Sequence, residues 1–317
     1  MRSRGRRSAA PVRGRRRPGS WQRLTILIAA VVGTTVMLYP ATATWLSARA
    51  QSSTLSSFAD QVARTPADTK SAMIQSARRY NAELAPGLIH DPFSAATDAE
   101  SADQALTNEY LGQLKLPGDD VMARVTIPAI GVDLPIYHGT TDRVLTEGVG
   151  HLFGSSLPVG GAGSHAVLTA HSGLPESSMF TRLSRLRTGQ TFTVDVLDEK
   201  LTYRVDQIRV VKPDDVEDLV ITPGKDYVTL VTCTPINVNT HRLLVRGERI
   251  PTPHDASQRV AAPDTVGFPW WIVGFVVIVG ASVALLYLPP RRARRRTSYL
   301  RAATRLRFAR SKGLTRP

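Results

Sequence analysis

The chain has 317 residues, 42% of them hydrophobic, so it is long enough for one or two domains with a buried core. Its formal net charge of +14 comes from its two ends, because residues 1–23 and 289–317 hold 20 of the 40 basic side chains and no acidic one. The 265 residues between these tails carry 20 basic and 26 acidic side chains. The body is mildly acidic, and we expect no nucleic-acid partner.

Two uncharged stretches separate the basic tails from the body. Residues 24–46 and 266–288 are each long enough for a helix that rises 1.5 Å per residue to cross the hydrocarbon core of a bilayer. Because positive charge is retained on the cytoplasmic side, the pattern predicts two membrane spans, cytoplasmic tails and an exported body. The alternative for the first stretch is a signal peptide, with a small-residue cleavage site at 41–43.

Residues 47–118 are predicted to be helical and rich in loops. Thr65 precedes Pro66, and Asp68 follows in the first turn, which predicts a helix with Thr65 as its N-cap. Apolar residues at helical spacing continue this helix, and a second short helix is expected over 105–114. The segment 86–104 between them is poor in apolar residues, and we expect it to be mobile.

Residues 119–250 have the pattern of a β domain. Seven runs of alternating or β-branched residues are separated by clusters of Gly, Pro, Asp and Asn, with one helix expected near 177–186. This pattern predicts a closed or nearly closed β-barrel, followed by a linker at 251–265. The predicted strands are 122–130, 132–137, 165–170, 191–197, 201–211, 227–233 and 242–250.

Cys233 is the single cysteine, which excludes an intramolecular disulfide and a cysteine-rich zinc site. It ends a predicted strand and is followed at once by a polar loop. A nucleophilic thiol at such a position needs a base, usually histidine, and cationic or amide donors for the oxyanion of a tetrahedral intermediate. The alternative is that Cys233 is a small buried hydrophobic residue.

Seven histidines compete as the base for this thiol. His171 ends a predicted strand and begins a glycine-containing loop, which is where a barrel presents side chains at its rim. His241 lies near Cys233 in sequence and is expected to shape the loop, while His151 and His165 are candidate structural hydrogen-bond donors. No histidine pair has HExxH spacing with an acidic ligand beside it, so no metal site is predicted.

Two arginines on the strand after Cys233 are candidates for the cation. Arg242 and Arg246 are four residues apart, so both side chains lie on the same face of the strand. The alternation of side chains therefore does not show which of the two is near Cys233. If Cys233 ends one strand, its antiparallel partner begins near Arg242, and Arg246 lies about 13 Å further along. Arg242 is therefore the predicted oxyanion or substrate contact.

Several motifs resemble those of sortases, the membrane-anchored cysteine transpeptidases of Gram-positive surfaces. Residues 229–233 read TLVTC, similar to the family signature TLxTC. The resemblance extends over about residues 50–290, including the two-span layout, and is closest to class C, the pilin-polymerising branch. It departs from that class at Ile236-Asn237, where many members have an aromatic residue followed by glycine. The further matching segments are 234–247, 150–152, 154–158 and 171–175.

The resemblance implies a site. Cys233, His171 and Arg242 would be catalytic, in agreement with their positions along the chain, and no metal or organic cofactor would be needed. Asp91-Pro92-Phe93 resembles the class C lid motif, within a lid at about 86–104 that covers the cysteine. Without the resemblance this tripeptide is an ordinary turn. The residues expected to support the site are Thr232, His151 and His241.

The resemblance also implies a fold and a reaction. The fold would be mainly β, a sortase-like closed barrel of about seven to eight strands with N-terminal helices and a lid loop, flanked by two transmembrane helices. The enzyme would cleave an LPxTG-like sorting signal between Thr and Gly and transfer it to a lysine amine of a pilin subunit. The alternatives are a housekeeping-type sortase that anchors surface proteins to the cell wall, and a non-catalytic membrane scaffold for pilus assembly.

Overall fold

The structure is a computed structural model that describes residues 20–84, 89–93, 104–175, 177–252 and 267–287. The chain divides into two compact units. One unit contains Met37–Pro269, and the other is formed by the segments that precede and follow it.

The first helix, α1, spans Ser20–Arg64 and includes the whole uncharged stretch at 24–46. Among the described residues, Trp21–Arg64 is the one helix long and apolar enough to cross a membrane, judged by length and composition. The second uncharged stretch forms the helix Trp270–Tyr287, whose apolar part, Trp270–Ala284, is shorter than that criterion requires.

Eight strands form a closed barrel in the order β1-β2-β3-β4-β7-β8-β6-β5, and the pairing of β1 with β5 closes it. The pairs β2–β3 and β4–β7 are parallel, and the other six are antiparallel. The strands are β1 (Val121–Ile127), β2 (Val132–His138), β3 (Val149–His151), β4 (Ser164–Thr169), β5 (Thr191–Val196), β6 (Glu199–Val211), β7 (Asp226–Thr234) and β8 (His241–Ile250).

Shorter helices join and cover these strands. They are α2 (Ala67–Glu83), α3 (Gln104–Gly112) and α4 (Asp142–Glu147), with 3-10 turns at Pro128–Ile130, Leu183–Arg185 and Glu217–Leu219; the C-terminal helix Trp270–Tyr287 is α5.

The second half of α1 packs on the barrel. Leu55, Phe58 and Val62 are buried at spacings of three and four residues, so they lie on one face of the helix. Burying a side chain of this size contributes about 1.5–3 kcal/mol. The neighbouring helix α2 adds Ile74 and Ala77 to the same core.

Two strands are buried on both faces. All six residues of β4 and seven consecutive residues of β7 are buried. Their inward side chains, such as Leu168 and Leu230, belong to the main core, while Val167 and Val231 point outward. The outward residues belong to a second apolar group, which we call the outer cluster: Leu152, Val167, Val211, Leu219, Val231 and Leu244.

The prediction of a mainly β closed barrel is confirmed, and each of the seven predicted strands is present. The strand β3 was not predicted, because three residues are too short to show a period. The helix expected near 177–186 is wrong, since only Leu183–Arg185 forms a 3-10 turn. This segment folds back on the end of β4, where the Phe180 N–H donates to the His171 carbonyl at 3.0 Å.

The predicted N-cap of α2 is also wrong. The hydroxyl of Thr65 donates to the carbonyl of Gln61 at 2.8 Å, and its N–H donates to the same carbonyl at 3.0 Å. Both hydrogen bonds of Thr65 therefore go to a carbonyl in the last turn of α1. The helix α2 begins after Pro66 without a side-chain cap.

Candidate active site

The register of three strands brings His171, Cys233 and Arg242 into one row. In the antiparallel pair β7–β8, Cys233 lies directly opposite Arg242, as predicted from the sequence. The parallel pair β4–β7 ends with Thr169 opposite Val231, and the Ala170 N–H donates to the Val231 carbonyl at 3.2 Å, so His171 leaves β4 beside Cys233. Neighbouring strands are about 4.8 Å apart, and parity points all three side chains outward, beside the outer cluster. We call these three residues the site row.

Cys233 lies at the centre of the site row and is 8% exposed. Burial raises the pKa of its thiol, the Arg242 guanidinium lowers it, and the Asp91 carboxylate raises it again. The net shift is upward. In this state the thiol is held in its neutral form, and Arg242 supplies the positive charge that favours the thiolate.

His171 begins the loop after β4 and is tied to the cysteine through its neighbour. The Ser172 hydroxyl donates to the Cys233 carbonyl at 2.6 Å. Burial lowers the pKa of His171, while the Asp142 carboxylate raises it, and the net shift is downward. The imidazole and the thiol therefore both favour their neutral forms in this state.

Backbone geometry keeps the loop after His171 against the loop after Cys233. Gly173 has a φ of +77°, and a side chain at this position would run into Ile236. Asn237 has a φ of 66°, in the left-handed region that asparagine tolerates better than most residues. This accounts for asparagine where many class C sortases have glycine.

The guanidinium of Arg242 is bound on two sides and is 9% exposed. Its Nε donates to Oδ1 of Asp91 at 2.8 Å, and its Nη2 donates to Oδ2 at 2.7 Å. Its Nη1 donates to the carbonyls of Asn239 at 3.1 Å and His241 at 3.3 Å. The bidentate pair with Asp91 is a strong, charge-assisted contact that occupies the face Arg242 would present to a substrate.

The tripeptide Asp91-Pro92-Phe93 lies over the site row. The ring centroid of Phe93 is 5.7 Å from that of His171 and 5.0 Å from the guanidinium carbon of Arg242. Ile89 and Phe93 pack against the outer cluster. Residues 86–88 and 94–103 of the lid expected from the sequence lie outside the described residues.

Two of the expected supporting residues lie beside the site row. The Thr232 hydroxyl donates to the carbonyl of Ala170 at 2.7 Å and ties β7 to the end of β4. His241 pairs with Thr234 across β7 and β8, and its Nδ1 is 3.0 Å from the hydroxyl of Thr240. Thr232 therefore holds the segment that leads to His171, and His241 contacts the loop between β7 and β8.

His151, the third supporting residue, is fully buried on β3 and holds α3. The Tyr110 hydroxyl is 2.9 Å from its Nδ1, and its Nε2 is 2.8 Å from the Ser156 carbonyl. The Ser156 carbonyl requires a proton on Nε2, so Nδ1 is an acceptor. The single hydroxyl proton of Tyr110 is shared between Nδ1 and the His151 carbonyl, which is also 2.9 Å away. Burial lowers the pKa of His151 to about 4.

Arg246 lies apart from the site row. It is opposite Thr229 in register, four residues along β8 from Arg242. Its Nη2 donates to Asp206 at 2.6 Å, and its guanidinium carbon lies 4.2 Å from the ring centroid of Tyr227.

The outer cluster was not predicted from the sequence, although the sequence contains a signal for it. In 165–170 and 227–233 the apolar residues are almost continuous, which is typical of strands covered on both faces.

Among the described residues, no group of three or more His, Cys, Asp or Glu side chains is arranged to hold a metal ion. An acidic run lies at 214–218. Asp218 accepts from Gln207 at 3.0 Å and from Arg209 at 2.8 Å.

Comparison with known proteins gives the family. A model described as the Sortase domain matches residues 125–250. The crystal structure of sortase C-1 from Actinomyces oris is 49% identical, with a TM-score of 0.55, and the match covers 58% of this chain and 99% of that one. This chain belongs to the sortase family. The sortase is thus an enzyme of the transpeptidase type.

Other sortases are similar over the same region. Streptococcus pneumoniae Sortase C is 41% identical, with a TM-score of 0.54, over 61% of this chain and 94% of that one. Sortase A of Streptococcus agalactiae serotype III (strain NEM316) is 32% identical over 155 residues, which are 48% of this sortase and 62% of that relative. The chain therefore spans less than two thirds of the length of that curated relative.

Proposed function

We propose that this sortase is a class C enzyme that cleaves an LPxTG-like sorting signal between Thr and Gly and transfers it to a lysine amine of a pilin subunit. The observation that carries the proposal is the site row on the outward face of the barrel, covered by Asp91 and Phe93. The row supplies a nucleophile with an acid–base group about one strand spacing away on one side and a cation about one strand spacing away on the other. The outer cluster supplies an apolar groove for an extended peptide.

The first half-reaction forms a thioester. The thiolate sulfur of Cys233 attacks the carbonyl carbon of the Thr–Gly bond, and Arg242 binds the developing oxyanion. The carbon–nitrogen bond then breaks, and the imidazolium of His171 protonates the leaving amine of glycine. The threonine acyl group remains on the sulfur.

The second half-reaction releases the acyl group to the acceptor. The lysine amine attacks the thioester carbonyl, and the now neutral His171 takes its proton. The carbon–sulfur bond breaks, an amide forms, and the thiolate of Cys233 is restored with the imidazolium beside it. The row therefore returns to its starting protonation state.

Asp91 and Phe93 act as a lid in this proposal. The carboxylate of Asp91 occupies both donors of the Arg242 fork, and the Phe93 ring covers the imidazole of His171. A sorting peptide needs the same space and the same cation. Activity is therefore limited to the fraction of molecules in which the lid is open.

Two observations favour a pilin substrate over general cell-wall anchoring. The first is the tripeptide itself, which resembles the class C lid and contacts the site row. The second is the likeness to Streptococcus pneumoniae Sortase C, whose description concerns catalysis and pilin substrate specificity.

We also propose that the enzyme is anchored in the cell membrane by two spans, with the barrel outside and both tails in the cytoplasm. The uncharged stretch within α1 and the apolar helix α5 would be the spans. The 20 basic side chains of the two tails support this orientation, because arginine and lysine are retained on the cytoplasmic side.

A transfer assay tests the function. The full-length enzyme in detergent micelles would be incubated with an LPxTG-bearing surface protein of the same genome and a lysine-containing acceptor peptide. We expect an amide-linked product with the wild type and none with Cys233→Ala, at equal melting temperatures. Cleavage without joining at every acceptor concentration would contradict a transferase, and joining by Cys233→Ala would contradict the nucleophile.

A labelling assay tests the lid independently of any substrate. The double variant Asp91→Ala/Phe93→Ala should raise the rate at which a small thiol reagent labels Cys233 by about tenfold or more, without lowering the melting temperature of the barrel. An unchanged rate at equal pH would mean that the tripeptide is only a turn.

A further inference from the structure

The hydroxyl of Thr169 is buried without a partner. Thr169 is 0% exposed, and its Oγ1 makes no hydrogen bond with any described residue. It is the last residue of β4, two before His171, and it lies directly beside Val231 in register. Parity along β4 puts it on the outward face with Val167, so it borders the outer cluster.

Two other buried threonines of the same sheet are satisfied. The Thr229 hydroxyl is 2.7 Å from Nε2 of His165, and the Thr232 hydroxyl donates to the Ala170 carbonyl at 2.7 Å. A hydroxyl removed from water without a partner destabilises the state that buries it. The buried, unpaired hydroxyl of Thr169 therefore destabilises the state in which the lid is closed.

The side chains that close over the outer cluster include two from the lid segment. Ile89 and Phe93 pack against this cluster, and neither side chain has a hydrogen-bonding group. An extended peptide in the same groove is different, because it carries a main-chain N–H and carbonyl at almost every residue.

We propose that Thr169 is a positioning residue whose hydroxyl disfavours the closed lid and hydrogen-bonds a main-chain group of the sorting peptide when the lid is open. The inference rests on the proposed lid and groove. It assigns Thr169 two linked effects, a larger open fraction before binding and a tighter complex after it.

The first test replaces the hydroxyl by a methyl group of the same shape. Thr169→Val should slow labelling of Cys233 by a small thiol reagent about fivefold or more, because the closed state no longer buries an unpaired hydroxyl. Thr169→Ser keeps the hydroxyl and should stay within about twofold of the wild type. In the Asp91→Ala/Phe93→Ala background, Thr169→Val should leave the labelling rate unchanged, since the lid no longer docks.

The second test measures the peptide contact in that lid-open background. Thr169→Val should raise the KM for an LPxTG-like peptide several-fold and leave kcat within about twofold, because the lost bond binds substrate and transition state alike. Thr229→Val is the matched control: its hydroxyl already has a partner, so it should lower the melting temperature and leave KM unchanged.

The outcomes separate this inference from the proposed function. If the lid variant raises labelling but Thr169→Val labels at the wild-type rate, the effect of Thr169 on the lid is overturned. If KM is unchanged, the peptide contact is overturned. If the lid variant itself fails to raise labelling, the proposed lid is overturned instead. Should Thr169→Val not fold, Thr169→Ala removes the same hydroxyl and takes its place beside Thr169→Ser.

Discussion

Arg242 has two competing uses at the residue scale. In the structure, its guanidinium fork binds both carboxylate oxygens of Asp91, at 2.8 and 2.7 Å. In the proposed reaction, the same donors would bind the oxyanion that develops on the substrate carbonyl. The ion pair with Asp91 therefore stabilises the resting state through the same guanidinium that the proposed transition state would require.

Removing the side chain of Arg242 should lower kcat more than removing that of Arg246 on the same strand. In the lid-open background, Arg242→Ala should lower kcat on the order of 10²–10³, the scale of losing one oxyanion donor. Arg246→Ala should be much milder, because Arg246 lies four residues from Arg242 along β8 and is bound to Asp206. Steady-state kinetics with one peptide checks both, and a larger loss with Arg246→Ala would contradict the assignment.

Burial is the main cause of the raised pKa of the Cys233 thiol, and the charge of Asp91 adds to it. The Asp91 carboxylate raises this pKa because a negative charge disfavours the thiolate. Asp91→Asn removes that charge and frees the Arg242 guanidinium, so both effects lower the thiol pKa. The midpoint of labelling rate against pH should move to lower pH.

The matched control for this shift is Asp206→Asn, which neutralises the partner of Arg246 on the same strand. It should leave the midpoint where it is. A midpoint that moves upward with Asp91→Asn would contradict the electrostatic role of the lid carboxylate.

Part of the candidate site is accessible from the sequence alone. Cys233 and His171 end strand-like runs, and the hairpin register places Arg242 opposite the cysteine. The contact between Asp91 and Arg242 joins positions 151 residues apart, and no local pattern encodes it. The resemblance to the class C lid motif predicted only that Asp91 lies over Cys233, and the pairing of Asp91 with Arg242 was not predicted.

At the scale of elements, α3 is held to the barrel by the buried His151 and the partly buried His138. The Tyr110 hydroxyl on α3 contacts Nδ1 of His151, and Nε2 of His138 contacts the Gln113 carbonyl just after the helix, at 2.8 Å. The two histidines are opposite each other on β2 and β3. This anchor fixes the helix that follows the lid segment in the chain.

The anchor predicts acid sensitivity. Burial lowers the pKa of His151 to about 4, whereas an unfolded histidine titrates near 6.5. The stabilisation of the folded state by neutral His151 is therefore complete above about pH 6.5. It is lost as the pH falls toward 4, because the histidine of the unfolded state takes up a proton first.

The loss amounts to about 1.4 kcal/mol per pH unit for this histidine. Between pH 7 and pH 5, the free energy of unfolding of the wild type should therefore fall by about 2 kcal/mol more than that of His151→Gln. Denaturant unfolding at the two pH values measures this difference. Equal losses in the two proteins would contradict the role of His151.

Elements with a long, regular pattern are predicted well from this sequence, and the misses have physical causes. The seven predicted strands exist because alternation and turn residues define them locally. The segment 177–186 has apolar residues that suit a helix, yet its backbone bonds to the end of β4 instead. Threonine is a common N-cap residue, but the hydroxyl of Thr65 donates to the Gln61 carbonyl in the last turn of the preceding helix, α1.

At the scale of the whole molecule, the charge asymmetry predicts the topology. The body should face outside, and both tails should face the cytoplasm, because the arginine excess is kept inside. Protease added to intact protoplasts should remove the central domain and spare tags on both termini.

Loss of both tags would contradict this orientation. Loss of the N-terminal tag alone from the mature protein would indicate that the first stretch is a cleaved signal peptide.

The closed barrel could be predicted because the sequence contains several short strands, and closing them into a barrel removes their exposed edges. The strand order was not, since the parallel pairing of β4 with β7 joins segments separated by β5 and β6. That pairing places His171 beside Cys233, so the geometry of the site row is a property of the complete fold.

In the proposed reaction, Cys233 carries the acyl group during transfer. The most direct measurement is the intact mass of the lid-open enzyme, quenched with acid after brief mixing with an LPxTG-like peptide. We predict an added mass equal to the fragment that ends at threonine, located on Cys233 by peptide mapping and released by hydroxylamine as a thioester requires. Turnover of the peptide with no such adduct, or an adduct on another residue, would contradict the account.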